Sequence, residues 1–161
     1  MTVEEYNRCV EDHSDGLYRF ILKSIRESTK AEDIVQDSFE KLWRKVGEVS
    51  YSKSKSYLFT TAYHTMIDII RKESKMKAFE ILPENDMYAD NQYSDLNEIL
   101  HSALGRLPEQ QRSAVLLRDY EGYSYKEIGD ITGLSEAQVK INIYRGRIAL
   151  KSFIGKIETV L

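Results

Sequence analysis

The sequence holds one cysteine, two prolines and one tryptophan in 161 residues, and it has no long apolar run. The lone Cys9 has no partner for an internal disulfide, which sets aside the disulfide-stapled secreted classes and fits a reducing compartment. The opening MTVEEYNRCVEDHSD lacks the positive start and apolar stretch of a signal peptide. No segment approaches the roughly 20 apolar residues of a membrane span, so a cytoplasmic protein without membrane insertion is expected. Cys9 and His13 are four apart, but no further ligand cluster completes a metal site, and His64 and His101 stand alone. A Gly-rich phosphate loop and a nucleophile motif are also missing, so the reading assigns no catalytic residue, no metal, no cofactor and no enzyme activity.

What is present is helical. Apolar residues recur at spacings of three and four rather than in alternation, which together with the scarcity of proline and glycine predicts an all-α chain. The stretch ILPENDMYADNQYSD, 81 to 95, carries a proline, two asparagines and four acids without a helical stripe and reads as linker. The expected layout is two small helical domains, 1–77 and 96–161, joined by an acidic linker at 78–95. Helices are expected near 5–27, 30–46 and 55–77, then near 95–105, 108–121, 125–132 and 136–157. Thr29 with Glu32, Ser124 with Glu127, and Ser135 with Gln138 have the capping-box form, in which hydroxyl and carboxyl or amide satisfy the open amides of a first turn. Gly122 suits a helix C-terminus and Pro108 a first helical position.

Charge is sorted along the chain. The net value is −3, yet residues 1–40 hold five basic and ten acidic side chains, whereas 41–77 hold nine basic and three acidic. Residues 78–105 have six acids and no Lys or Arg, and residues 137–157 have five basic side chains and no acid. Salt screens exposed charges beyond about 8 Å, so a nearby phosphate feels the local block rather than the mean.

One basic block lies in SYKEIGDITGLSEAQVKINIYRGR, 124 to 147, which has the punctuation of a helix, a tight turn and a second helix. Gly133 suits a positive φ in the turn, Gly129 has no side chain to block the second helix, and Ile128, Leu134 and Val139 close a small core. In the second helix Val139, Ile143, Gly146, Leu150 and Ile154 form the inward stripe, while Ala137, Gln138, Lys140, Ile141, Tyr144 and Arg145 point away. Short, polar and cationic residues at the start of a second helix are what a DNA groove reader presents. Gln138 can bond adenine, Ile141 can meet a thymine methyl, and Lys140, Arg145, Arg147 and Lys151 can hold phosphates. A ligand-free helical hairpin, with Ile141 on a second packing surface, is the competing reading.

The N-terminal half offers two further faces. In TKAEDIVQDSFEKLWRKV, Val35, Phe39, Leu42 and Val46 make a narrow apolar stripe, and Asp33, Asp37, Glu40, Lys41 and Arg44 share the opposite face. Asp33 and Asp37 repel across one turn by about 0.2–0.5 kcal/mol. A basic partner explains both, as does a solvated face with Lys41 as a local mate. In the next helix an apolar arc of Leu58, Phe59, Ala62, Tyr63, Met66, Ile69 and Ile70 faces an arc of Tyr57, Thr60, Thr61, His64, Arg71 and Lys75. Cations beside an aromatic ring suit a single-strand or junction binder.

Taken together the segments resemble a known family. AEDIVQDSFEKLW resembles region 2.2 of the extracytoplasmic-function sigma factors of the sigma-70 family, and YLFTTAYHTMIDIIRK resembles their regions 2.3 and 2.4. LPEQQRSAVLLRDYEGYSYKEIGDITGLSEAQVKINIYRGRIALK resembles region 4, and the likeness runs from about residue 16 to 153 in family order. The resemblance implies a promoter-specificity subunit of bacterial RNA polymerase. Asp33, Gln36, Asp37, Phe39 and Glu40 would dock the clamp coiled coil of the largest polymerase subunit. Ser52, Lys53, Lys55, Tyr57, Thr60, Thr61, His64 and Arg71 would open and read the minus 10 element. Ser135, Glu136, Ala137, Gln138, Lys140, Ile141, Tyr144, Arg145 and Arg147 would read the minus 35 element, with the rest of region 4 on the polymerase flap. The acidic linker would run through the RNA path, and an anti-sigma factor is an implied partner. The chain departs from the family by carrying Tyr57 and His64 where Trp and Asn are usual in the melting helix. The alternatives are a stand-alone helix-turn-helix regulator and a helical adaptor that binds only protein.

Overall fold

A computed structural model describes residues 1–79 and 96–160. It contains α1 (Val3–Ile25), α2 (Ser28–Arg44), a short 3-10 turn at Tyr51–Lys53, and α3 (Ser54–Phe79). After the linker come α4 (Leu96–Arg106), α5 (Glu109–Val115), α6 (Tyr125–Thr132) and α7 (Glu136–Val160). The expected linker at 78–95 lies almost wholly outside the described residues. Helices α1, α2 and α3 pack on one another, and α4, α5 and α6 each pack on α7, so the described chain is an all-α pair of helical sets.

The starts of the helices follow hydroxyl chemistry where it was expected, with one exception. Ser124 Oγ accepts from the Glu127 N–H at 3.1 Å while the Ser124 N–H donates to Glu127 Oε1 at 3.0 Å, and these bonds hold the Glu127 carboxyl below its ordinary pKa. Ser135 and Gln138 make the same exchange at 3.2 and 2.9 Å. Thr2 and Glu5 form a further box at α1. The Thr29–Glu32 box does not form: α2 begins two residues earlier, at Ser28, with Glu27 in the capping position and no side-chain cap. Thr29 is therefore already inside the first turn, where Lys30 ties Glu27 to Glu73 of α3 instead.

The first core gathers Leu17, Phe20 and Ile21 of α1, Ala31, Ile34 and Leu42 of α2, and Leu58, Phe59, Ala62 and Met66 of α3, all buried. The buried line of α2 runs through Ala31, Ile34, Ser38 and Leu42 rather than through Val35, which is half-exposed. Ser38 fits there because its hydroxyl donates to the Ile34 carbonyl at 2.7 Å and leaves no polar atom orphaned. On α3, Ile67 is buried, whereas Ile69 and Ile70 are half-exposed.

The second set turns on two unusual pieces of backbone. Beyond Val115 the α5 helix widens into a π turn at Leu116–Tyr120, where the Glu121 N–H reaches the Leu116 carbonyl at 3.1 Å. Widened turns of this kind re-aim side chains. Here Asp119 meets Arg147 of α7, while Tyr120 meets Lys23 and Glu121 meets Arg19 of α1. Between α6 and α7, Gly133 caps at φ 80°, and a Cβ on Gly129 would lie 2.8 Å from the Leu134 carbonyl oxygen.

The two sets share a seam. The Phe59 ring meets Tyr123 edge-on at 5.3 Å, the Tyr63 hydroxyl donates to Glu109 Oε1 at 2.7 Å, and Arg19 makes a fork to Glu121 at 3.0 and 2.9 Å. Their buried apolar residues form one continuous cluster.

Gly146 tests how tightly α7 is seated. A Cβ there would lie 2.7 Å from Val115 Cγ2 and 3.4 Å from the Gln111 carbonyl oxygen. Gly→Ala inside a helix ordinarily stabilises by about 0.5–1 kcal/mol. Overpacking should reverse the sign, so Gly146→Ala is expected to destabilise by about 1–3 kcal/mol in urea denaturation. A raised midpoint would show that α5 and α7 are free to separate.

Candidate nucleic-acid interface

Helix α7 sets its inner face by burying Val139, Ile143, Gly146 and Leu150 against α5 and α6. That leaves Ser135, Glu136, Ala137, Gln138, Lys140, Ile141, Tyr144, Arg145 and Arg147 all exposed. Four of these are already engaged. The Gln138 amide oxygen accepts the Ser135 N–H, so a two-point bond to adenine, which uses both ends of the amide, has to share that oxygen with the cap or replace it. Arg147 forks onto Asp119, with Nε donating at 3.1 Å and Nη2 at 2.5 Å, and the carboxylate holds the guanidinium still more firmly protonated. Lys140 lies 5.5 Å from the Tyr125 ring centroid, and Arg118 lies 4.6 Å from it. Arg145 and Lys151 are exposed and enter none of the described ion pairs.

An apolar line also runs along this outer face. Ile141, Tyr144 and Ile148 are 47%, 66% and 51% exposed at spacings of three and four. Ile148 escaped the sequence reading, although continuing the outward set by one more turn from Ile141 and Tyr144 finds it.

The second face lies on the 3-10 turn and α3. Ser52, Lys53, Lys55, His64 and Arg71 are exposed, and Tyr57, Thr60 and Thr61 are half-buried. From Tyr57 to Arg71 the stripe is about 21 Å long at 1.5 Å per residue. Two members differ from the sequence expectation. Tyr57 is not a free-standing ring: it is half-buried and packs on the core. Lys55 does not point only to solvent, since its ammonium sits 4.6 Å from the Tyr123 ring centroid across the seam.

The third face is acidic. On α2, Asp33, Gln36 and Glu40 are exposed, Asp37 is half-buried, and Phe39 lies beneath them at 8% exposure. Asp37 has a partner after all: Lys41 Nζ is 3.0 Å from its carboxylate, and Arg44 pairs with Glu40 at 2.6 Å. Both are one-turn pairs at least partly in solvent, worth about 0.3–0.5 kcal/mol each, and so are readily exchanged. Trp43, 47% exposed, stands against the edge of Tyr6 and borders a groove that also reaches Val10, Gln36, Phe39 and Glu40.

Among the described residues no helix is long and apolar enough to cross a membrane, and no cluster of three His, Cys, Asp or Glu is placed to hold a metal ion. Cys9 is buried and donates its thiol to Ser54 Oγ at 3.0 Å.

Comparison with known proteins matches both halves in order. The model of sigma-70 region 2 covers residues 9–76, and that of sigma-70 region 4 covers 97–150. RNA polymerase sigma factor SigV of Bacillus subtilis is 31% identical over 140 residues, which span 85% of this chain and 83% of that protein. The ECF RNA polymerase sigma factor SigE of Mycolicibacterium smegmatis is 30% identical over 94% of this chain, which spans 62% of that longer relative. Among solved structures, the sigma factor RpoE of Bartonella quintana, in complex with the anti-sigma factor NepR, superposes with a TM-score of 0.78. The superposition covers 95% of this chain and 98% of that one at 25% identity. A region 2 bundle followed by a region 4 helix-turn-helix defines an RNA polymerase specificity subunit. The chain belongs to the sigma-70 family of RNA polymerase sigma factors, in its extracytoplasmic-function group.

The ion pairs separate the arginines of α7. Arg145→Ala is expected to weaken duplex binding about equally on all sequences and to lower the slope of log K against log salt by about 1. Asp119→Ala, which releases Arg147 and removes an acid beside it, is expected to strengthen non-specific binding and steepen that slope by about 1. Fluorescence anisotropy across a salt series measures both. An Asp119→Ala protein with native affinity and slope would place Arg147 off the DNA.

Proposed function

We propose that the three faces divide the work of promoter recognition between protein and DNA contacts. The acidic α2 face, with Asp33, Gln36, Asp37 and Glu40 over Phe39, docks a basic helical surface of core RNA polymerase, the clamp coiled coil. Ser52, Lys53, Lys55, Tyr57, Thr60, Thr61, His64 and Arg71 engage the minus 10 element as it opens. The exposed face of α7, from Ser135 to Arg147, reads the minus 35 duplex, with the remainder of residues 96–161 against the flap. The observation that carries this reading is the sorting of charge: one acidic helix face and two cationic ones on separate elements of one chain.

In this reading the chain works in the cytoplasm as a binding subunit, supplies no catalytic group, and leaves phosphodiester chemistry to the polymerase. The RpoE structure, which holds an anti-sigma factor, supports an anti-sigma partner here as well. Co-purification with core polymerase followed by promoter-dependent run-off transcription is the direct test. A chain that binds promoter DNA but never stimulates core enzyme on any genomic template would be a stand-alone regulator instead.

The docking face has its own test. Asp37→Arg reverses a charge whose existing partner, Lys41, is a weak one-turn mate. It is expected to lower core affinity about tenfold or more through like-charge contact, with the unfolding midpoint nearly unchanged. Native affinity in a pull-down would remove Asp37 from the interface.

A further inference from the structure

A cleft of about 690 Å³ opens between the C-terminal end of α1 and the start of α4, closed on its third side by the π turn. Lys23 and Arg26 face it from α1, His101 and Leu100 from α4, and Tyr120 from the π turn. None of the residues named above for the clamp, the minus 10 element or the minus 35 duplex lines it. The geometry points to a binding site for a small oligophosphate anion in this cleft.

Two concessions of the chain give one of these cations its place. Among the described residues, Arg26 is the one non-glycine with positive φ, at 64°, and its N–H closes α1 onto the Leu22 carbonyl at 2.7 Å. Its side chain then lies across α4 at Gly105, where a Cβ would be 2.5 Å from Nη1 and 3.2 Å from Cδ. A left-handed arginine and a glycine opposite it, 79 positions apart in sequence, are both needed for that placement. Lys23 is held as firmly, with its ammonium 4.1 Å from the Tyr120 ring centroid.

The cations crowd one another. Burial, then Arg26 and Lys23, push the His101 imidazole below its ordinary pKa, and burial, then Arg19, do the same to the Lys23 ammonium. Glu98 is the sole carboxylate among the described lining residues. Like charges brought together from two helices are relieved by an anion set between them, and Arg, Lys and protonated His are the donors that phosphate oxygens take. The cleft is larger than a triphosphate, and Leu100 with the Tyr120 ring supplies an apolar wall on which a base or sugar can rest.

One wall belongs to the region 2 half and the others to the region 4 half, so an anion bound there ties the halves together. That consequence rests on the sigma reading. The binding does not, because it is measured on the chain alone.

The test uses the full chain with inorganic triphosphate, ATP and sulfate at equal ionic strength, followed by calorimetry and phosphorus NMR. Triphosphate is expected to occupy one site at least about tenfold more tightly than sulfate, and Lys23→Gln and His101→Asn each to weaken it about tenfold. Circular dichroism melting without ligand checks that both variants fold. Anion binding favours the imidazolium, so affinity should rise from about pH 8 to about pH 6 in the native chain and not in His101→Asn. The groups facing His101 are Lys23, Arg26, Glu98 and Tyr120, and of all five only the imidazole has an ordinary pKa inside that window. Comparing the two proteins at each pH cancels titration of the ligand. Equal affinity for triphosphate and ATP makes the phosphates the whole ligand, and tighter ATP adds the apolar wall; either result supports the site. Binding no tighter than sulfate, or unchanged in both variants, overturns it.

Discussion

The described structure hinges on the T-shaped contact between the rings of Phe59 and Tyr123. Tyr123 is 3% exposed and belongs to the turn before α6, whereas Phe59 belongs to α3 and also approaches Phe20 of α1 at 5.8 Å. A chain of rings thus runs from the first helix of region 2 into the helix-turn-helix of region 4. Polar partners fix its register. The Glu121 side chain is only 6% exposed, a position that a carboxylate tolerates because the Arg19 fork supplies two charge-assisted bonds. Glu109 likewise accepts the buried Tyr63 hydroxyl, which together with burial pushes the Tyr63 pKa well up.

That seam is less completely satisfied than the interiors it joins. Among the described residues, the buried polar atoms without a partner are Ser24 Oγ, Arg112 Nε and Tyr123 Oη. They sit in α1, in α5 and in the turn before α6, and Tyr123 is the one whose ring meets Phe59 across the seam. Each such atom costs about 1–3 kcal/mol relative to the same group in water, so opening the seam returns part of what exposing Phe59 and Tyr123 takes away. Interfaces of this character are typical between domains that move. Lys55 adds to the seam from α3, its ammonium capping the Tyr123 ring at 4.6 Å from the centroid.

How much of this was legible in the sequence depends on the range of the interaction. The boxes at Ser124 and Ser135, the αL glycine at 133 and the inward stripe of α7 as far as Leu150 are set by residues within a few positions, and spacing alone located them. By contrast, Ile154 is half-exposed, and Gly129 makes room for the Leu134 carbonyl of the turn rather than for the second helix. The Thr29 box failed because Glu27 and Ser28 start the helix sooner, and a cap motif does not reveal which of two neighbouring starts tertiary contacts will favour. Ser38 was missed as core because a hydroxyl that bonds its own helix behaves as a small apolar group. Asp119 with Arg147, Arg19 with Glu121 and Lys55 with Tyr123 join residues 28, 102 and 68 positions apart. No periodicity encodes such pairs. They arise from the π turn and the seam, which only the folded chain creates.

Those long-range pairs alter the meaning of charge on this protein. A count of basic residues on α7 credits Arg147 to DNA, and a count on α2 leaves Asp37 open to a partner, yet each is already answered within the chain. The two answers differ in kind. Lys41 and Asp37 sit one turn apart on the same helix, so their pairing is local and cheaply broken. Asp119 reaches Arg147 from the π turn in a bidentate fork, so removing the arginine to a phosphate also loosens α5 from α7. Arg147 therefore serves the alignment of α7 against the π turn, while Arg145 and Lys151, exposed on the same helix, enter none of the described ion pairs and leave their charge to solvent.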